Sequence, residues 1–252
     1  MKVDAVVLGG GDGAVIDPNC RFKGLVPLAG KPLVEWVVDA MREAEFIAEV
    51  VVVVPTAEDL GAWADLVDKL VVGRGGFMDN VIAGTSSFRE DRPVLIATGD
   101  MPLLSGEAID DFITRSFAAD AKFSYPIISR ADMDTQYPGS PRTYVRVDGT
   151  EVTGGNMMLA DPLLVRRNAE VGQSLFGARK SPLAMARILG WRFVLKLAVG
   201  RLDVAELEAT MARVLGGPTS AIRTPFASIG VDVDKAADVE LTERILRETG
   251  RA

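Results

Sequence analysis

The chain has no histidine, one cysteine, no surplus of positive charge and no long apolar run. Each absence removes a class of function. Without histidine there is no Ser-His-Asp triad, no His-ligated zinc and no imidazole proton shuttle. Chemistry must then come from carboxylates, lysines, arginines, hydroxyls or a metal held by oxygen. Cys20 is alone, which excludes an intrachain disulfide and suits a reducing, cytoplasmic setting. The net charge of -7 argues against nonspecific nucleic-acid binding, which leans on a basic surface. No apolar stretch approaches the roughly 18 residues of a membrane span, so no membrane partner is expected. Asp4 and the glycines from Gly9 to Gly13 break the first apolar run too early for a signal peptide.

What is present reads as an α/β protein. At 252 residues the chain can bury one full core, and the expectation is a single domain over 1–252. Residues 3–8 are valine-rich and predict a buried strand, followed by a helix over 32–44. Glu49 to Pro55 carries five consecutive valines, as a strand buried on both faces does. A helix over 58–69, a short strand at Leu70–Val72, a helix over 77–88 and a strand at Pro93–Ala97 continue the rhythm. Ser105 is a plausible N-cap for the next helix. This alternation predicts right-handed βαβ crossovers, a mostly parallel central sheet and a Rossmann-like three-layer sandwich.

The second half is more mixed. Strands are expected at Lys122–Ile128 and Arg142–Val147, separated by a polar Pro/Gly loop at Tyr137–Pro141. A helical insert or lobe spans about 170–215. Short strands at Ala221–Thr224 and Ile229–Val233 precede a closing helix over 236–248.

Two segments carry the chemistry. The first strand runs into Gly9-Gly10-Gly11-Asp12-Gly13, a turn that lets backbone N–H groups approach an anion. Phe22-Lys23-Gly24-Leu25 then brings a lysine within reach of that turn, and Gly30-Lys31-Pro32 opens the helix. Gly9, Gly11 and Ala14 also satisfy a G-x-G-x-x-A dinucleotide pattern, but the context fails. A loop with Pro18, Pro27 and Gly30 intervenes before any helix, and the second strand offers no ribose-binding carboxylate. Asp100 follows Val94-Leu95-Ile96-Ala97, at the carboxyl end of a strand where open α/β sheets bind ligands.

The order of these parts resembles the nucleoside-triphosphate transferase family, and most closely its MobA-like nucleotidyltransferases. Ala97-Thr98-Gly99-Asp100-Met101-Pro102 resembles the metal-binding aspartate motif of that family. Gly230-Val231-Asp232-Val233-Asp234 resembles the late motif that carries the second metal ligand. Gly76 to Gly84 resembles the nucleotide-contacting segment, and Thr153-Gly154-Gly155-Asn156 the acceptor-contacting one. One departure stands out: the family's arginine within the first glycine loop is absent, and Arg21 lies further on.

The resemblance implies a nucleotidyltransferase that moves NMP from an NTP to a phosphorylated small molecule and releases pyrophosphate. It implies Lys23, Asp100 and Asp232 as catalytic residues, with Asp100 and Asp232 holding Mg²⁺. Leu8, Gly9, Gly10, Gly11, Lys23, Asn80 and Gly84 would contact the nucleotide, and Gly155 and Asn156 the acceptor. Lys31 reads as an exposed turn residue. Asp234 and Asp238 flank Lys235 before the last helix, and Asp234 ranks below Asp232 because it reads equally well as an N-cap. Arg179, Lys180 and Lys196 form a basic cluster for which surface solvation is the default reading. Two other readings share these features: a nucleotide-sugar glycosyltransferase, which would release a nucleoside diphosphate, and a non-catalytic nucleotide-binding protein.

Overall fold

A run of valines without polar alternation is satisfied only between two apolar layers. The computed structural model describes residues 2–57, 60–73, 75–89, 92–178 and 181–251, and it buries those runs between helices. In chain order the strands are β1 (Val3–Leu8), β2 (Pro27–Leu28), β3 (Lys31–Pro32), β4 (Ile47–Val54), β5 (Lys69–Val72), β6 (Val94–Thr98), β7 (Phe123–Ser129), β8 (Val145–Val147), β9 (Thr150–Gly154), β10 (Met157–Ala160) and β11 (Thr219–Arg223). The helices are α1 (Leu33–Glu43), α2 (Phe77–Thr85), α3 (Gly106–Ala118), α4 (Arg130–Gln136), α5 (Pro162–Arg167), α6 (Ala169–Ala178), α7 (Pro182–Leu189), α8 (Trp191–Ala198), α9 (Val204–Leu215) and α10 (Ala236–Glu248).

Among the described residues, nine strands form one sheet in the order β5-β4-β1-β6-β10-β7-β9-β8, with β11 paired to β7. The first four run parallel, β10 joins antiparallel to β6, and β7 and β11 are again parallel. Period-two alternation divides the core. Val7 and Leu95 face one layer, packed with Met41 of α1 and Phe112 of α3. Val6 and Ile96 face the other, under Val81 of α2. This is the expected α/β sandwich.

Several local expectations need correction. Within 58–69 the described residues form a 3₁₀ turn at Ala62–Leu66, which buries Trp63, and Lys69 already begins β5. The strand expected over Arg142–Val147 begins only at Val145, and Arg142 stays in the connecting loop. At Ile229–Val233 the chain makes a 3₁₀ turn, Ala227–Gly230, and then runs extended without a sheet partner. Helix α4 and strands β9 and β10 are not legible in the sequence: all three are short, α4 is largely polar, β9 is polar and ends in glycine, and β10 is an apolar run of only four residues. Ser105 does cap α3, accepting from Ala108 N–H at 3.3 Å.

Helices α6 to α9 gather around a small core of their own, with Leu189, Phe193 and Leu202 buried together. The Phe176 ring of α6 stacks on Phe77 of α2 with centroids 4.3 Å apart.

Candidate active site

β1, β4 and β6 point the same way, so their carboxyl ends open onto one edge. Gly9 leaves β1 tied to β4, its N–H donating to Val53 O at 2.8 Å, and Gly99 N–H donates to Leu8 O at 2.9 Å. Gly24 lies so close beneath the turn that a Cβ would stand 2.6 Å from the Gly9 carbonyl oxygen. Lys23 N–H donates to Gly11 O at 3.0 Å, and Gly11 has φ +103°, a conformation that favours glycine. The lysine therefore runs alongside the turn. Among the described residues no acceptor pairs with the N–H groups of Gly10 and Gly11, and the space beside Gly10 is open.

The two late aspartates reach the same place through strand-like alternation. Val231 and Val233 are buried, so Asp232 and Asp234 turn to the opposite side. Val233 N–H donates to Asp100 O at 3.0 Å and locks the two loops together. Asp100, Asp232 and Asp234 each place a carboxylate oxygen within 4.8 Å of the others. Asp234 is thus a member of the cluster and not an N-cap. Lys235 holds the N-cap position, and Asp238 at the third position of α10 reaches back to accept from the N–H groups of Asp234 and Lys235 at 2.9 and 3.0 Å.

Two cations answer the three carboxylates. Lys23 pairs with both Asp100 and Asp234. Arg142 pairs with Asp232 and donates a second bond to Gly154 O at 3.0 Å. Burial opposes the charge on Lys23, but Asp100 and Asp234 more than offset it and raise its pKa, so the ammonium is retained. Burial, with the nearby Asp100 charge, pushes the Asp232 carboxyl above its ordinary range despite Arg142. Burial also acts to raise Asp234, yet its bond from Lys23 holds it below that range.

Among the described residues one negative charge remains uncompensated, and the buried Oδ1 of Asp100 has no partner. An unpaired buried carboxylate oxygen is costly. An all-oxygen donor set with a free buried ligand atom fits a hard divalent cation, which takes one or two carboxylates plus substrate phosphates.

The remaining expected residues divide. Asn80, on α2, has a buried Oδ1 without a partner. Gly84 lies on the inner face of α2, where a Cβ would stand 2.5 Å from Val6 Cγ1, so close packing of helix on sheet accounts for it. Leu8 ends β1 with its carbonyl taken by Gly99. Gly155 is buried, with its N–H donating to Pro126 O and its carbonyl accepting from Tyr125 Oη at 2.7 Å. A Cβ there would meet Ile229 at 2.6 Å, which explains the glycine by packing. Its neighbour Asn156 keeps a buried, unpartnered Nδ2, and its carbonyl accepts from Thr98 N–H at 3.1 Å, next to the Asp100 loop.

Lys31 is not an exposed turn lysine. It pairs with Asp39 and sits 4.1 Å from the centre of the Trp36 ring. Arg179 and Lys180 lie outside the described residues, and Lys196 pairs with Glu206 at 2.5 Å. Arg21 is exposed, its guanidinium 5.0 Å from the centre of the Phe22 ring. Among the described residues, the arginine that does enter the site is Arg142. Its only sequence signal was a cation directly after a Pro/Gly loop.

A family model, the MobA-like NTP transferase domain, matches residues 5–182, which include the glycine turn, Lys23 and Asp100. The chain belongs to this family. This NTP transferase is an enzyme of the nucleotidyltransferase class, and it is similar to several known proteins in sequence or fold. A 3-deoxy-manno-octulosonate cytidylyltransferase from Bdellovibrio bacteriovorus is 27% identical over 92% of this chain and 95% of that one. A hypothetical transferase from Thermus thermophilus superposes with TM-score 0.84 and 36% identity, over 95% of this chain and all of that one. The 2-C-methyl-D-erythritol 4-phosphate cytidylyltransferase of Thermus thermophilus shares the fold at TM-score 0.57 and 16% identity, over 98% and 100%.

Proposed function

We propose that this NTP transferase moves a nucleoside monophosphate from an NTP to a phosphorylated small molecule, with Mg²⁺ at Asp100 and Asp232 and with Asp234 beside them. The observation that carries this reading is the three-carboxylate cluster next to Lys23 and a glycine turn with two free N–H groups. Mg²⁺, when bound, would supply positive charge to the α-phosphate.

The reaction itself needs no proton acceptor of histidine type, because an acceptor phosphate is already ionised near neutral pH. One of its oxygens attacks the α-phosphorus. The bond from that phosphorus to the bridging oxygen of the β-phosphate breaks, and pyrophosphate leaves with the electron pair. Lys23 and the N–H groups of Gly10 and Gly11 neutralise charge on the phosphates, an electrostatic contribution fixed before substrate arrives. Catalysis then rests on position and charge.

The acceptor end is assigned to Asn156 and Arg142. Nδ2 of Asn156 is an unused donor, and the guanidinium of Arg142 is charged and half-enclosed at the same edge. The base end is assigned to Asn80, whose unpartnered Oδ1 can accept from an exocyclic amine. CTP is the first nucleotide to try, given that the curated relative from Bdellovibrio bacteriovorus is a cytidylyltransferase. We further assign the whole of 1–252 to one catalytic domain, with α6 to α9 as an attached lobe.

The test is thermal stability against each of the four NTPs, with and without Mg²⁺. A ligand at a hundredfold excess over its Kd adds about 2.7 kcal/mol. A Mg²⁺-dependent rise with one NTP, lost in Asp100→Asn, is the expected result. A response to NTPs that ignores both Mg²⁺ and Asp100→Asn would overturn the metal assignment. Pyrophosphate release with phosphorylated and unphosphorylated acceptors then tests the acceptor class.

A further inference from the structure

Residues 171–202 contain six cations, Arg179, Lys180, Arg187, Arg192, Lys196 and Arg201, and no aspartate or glutamate. The whole chain is acidic, at -7, so this segment has the opposite character to its host. Four of the ten large apolar side chains that stand exposed among the described residues also lie here. Trp191, Leu195 and Val199 are 68%, 62% and 57% exposed, and Leu183 on the preceding helix is 55% exposed.

These positions are organised. Trp191, Leu195 and Val199 recur every four residues and share one face of α8 and its end. Phe193 is buried, with Val194 and Leu197 packed beside it in the core of the lobe, so the helix has an inner apolar face as well. Arg192 and Lys196 each follow a residue of the outer stripe and edge it with charge; Arg192 is exposed, and Lys196 is the one paired with Glu206. Arg187 and Arg201 are exposed on either side. Elsewhere in the molecule, Trp36 and Trp63 are 3% and 2% exposed, so an outward tryptophan is not a general habit of this chain.

The lack of a spanning run underlies the expectation of no membrane partner, but it does not bear on surface contact, and we propose that the α7–α8 face docks on an anionic lipid bilayer. Trp191 and Leu195 would enter the headgroup boundary, and the surrounding cations would face lipid phosphates and carboxylates. Exposed apolar side chains on a helix edged by Arg and Lys are the signature of a helix that lies in the interface. No helix among the described residues is long and apolar enough to cross a membrane, so the contact is peripheral. Charge complementarity selects this occupant over a second copy of the chain, whose matching face would bring like charges together across a two-fold axis.

The experiment is flotation of the full chain with vesicles of phosphatidylcholine alone or with phosphatidylglycerol added, at low and high salt. Trp191 is the outward-facing one of three tryptophans, so its emission should shift to the blue as the protein floats. Binding should require the anionic lipid and fall with salt. The double charge variant Arg187→Gln/Arg192→Gln should weaken it, by about fivefold for each cation removed near the surface. Leu195→Ser should also weaken it and, being exposed, should leave the melting temperature unchanged. Absence of flotation with anionic vesicles at low salt overturns the proposal. So does flotation that Leu195→Ser and the charge variant both leave intact. A dimer in sedimentation that Leu195→Ser dissociates, without lipid binding, would assign the face to a second copy instead. NTP-dependent stabilisation is measured in parallel, so failure here is distinct from failure of the nucleotidyl-transfer reading.

Discussion

The parallel sheet and the α6–α9 lobe use the same residue types in opposite ways. In the sheet, Val6, Val7, Leu95 and Ile96 are fully or almost fully buried, and polar groups appear where strands end. In the lobe, a modest core of Leu189, Phe193 and Leu202 leaves Trp191, Leu195 and Val199 outside. A sheet covered on both faces can bury every residue of a strand, whereas a short helix on the rim has only one face to bury. The lesson is where each region meets its surroundings. The sheet meets ligands through charged groups at one edge, and the lobe presents an apolar face with basic neighbours.

The contrast can be broken or sharpened by mutation. The largest stability effect is expected at Phe112, wholly buried under the sheet: Phe112→Ala should cost about 3–5 kcal/mol by chemical denaturation. Next, Asp100→Ala should lower turnover by about a hundredfold or more, with a melting temperature close to that of the wild type. Turnover within twofold of the wild type would remove Asp100 from the mechanism. Gly155→Ala should cost about 1–3 kcal/mol, because the new Cβ would press on Ile229 and Pro126. At the small end, Trp191→Ala should change stability by no more than about 0.5 kcal/mol. A cost at Trp191 approaching that at Phe112 would make the lobe a true part of the core and dissolve the comparison.

Asp232 gives a pH-dependent test. Its carboxyl is raised in the folded protein, chiefly by burial. Its contribution to metal-free stability is therefore complete below the ordinary carboxylate range and is lost as pH rises through the raised value. Thermal melts of wild type and Asp232→Asn without metal should converge or cross in that direction as pH rises from acid toward neutral. Mg²⁺ should restore the wild type, and leave the variant less affected.

Much of the site was legible before the fold. Gly9 to Gly13, Lys23 and Asp100 are near their strands in sequence, so local patterning suffices to place them at one edge. Asp232 could be paired with Asp100 only by family likeness, because the two are far apart in the chain. Arg142 was missed for a related reason: it enters from a loop between β7 and β8, and nothing local ties that loop to Asp232. Gly84 and Gly155 have a packing role that the sequence does not show. Both glycines sit where another element approaches closely, and a sequence does not say whether the neighbour is a ligand or a valine. The strand expected at Ile229–Val233 failed similarly. Its alternation is real and orients Asp232 and Asp234, but no neighbouring strand lies alongside to pair with it.

By itself, the sequence determined the α/β class, the absence of histidine chemistry and the position of the glycine turn beside a lysine. Those follow from periodicity, composition and short spacing, which act within a few residues. The tertiary structure alone decided that three carboxylates share one site with Lys23 and Arg142, and that Trp191 faces outward while Trp36 and Trp63 face in. Such facts depend on how distant segments pack, and packing is settled by the whole chain's competition for buried surface.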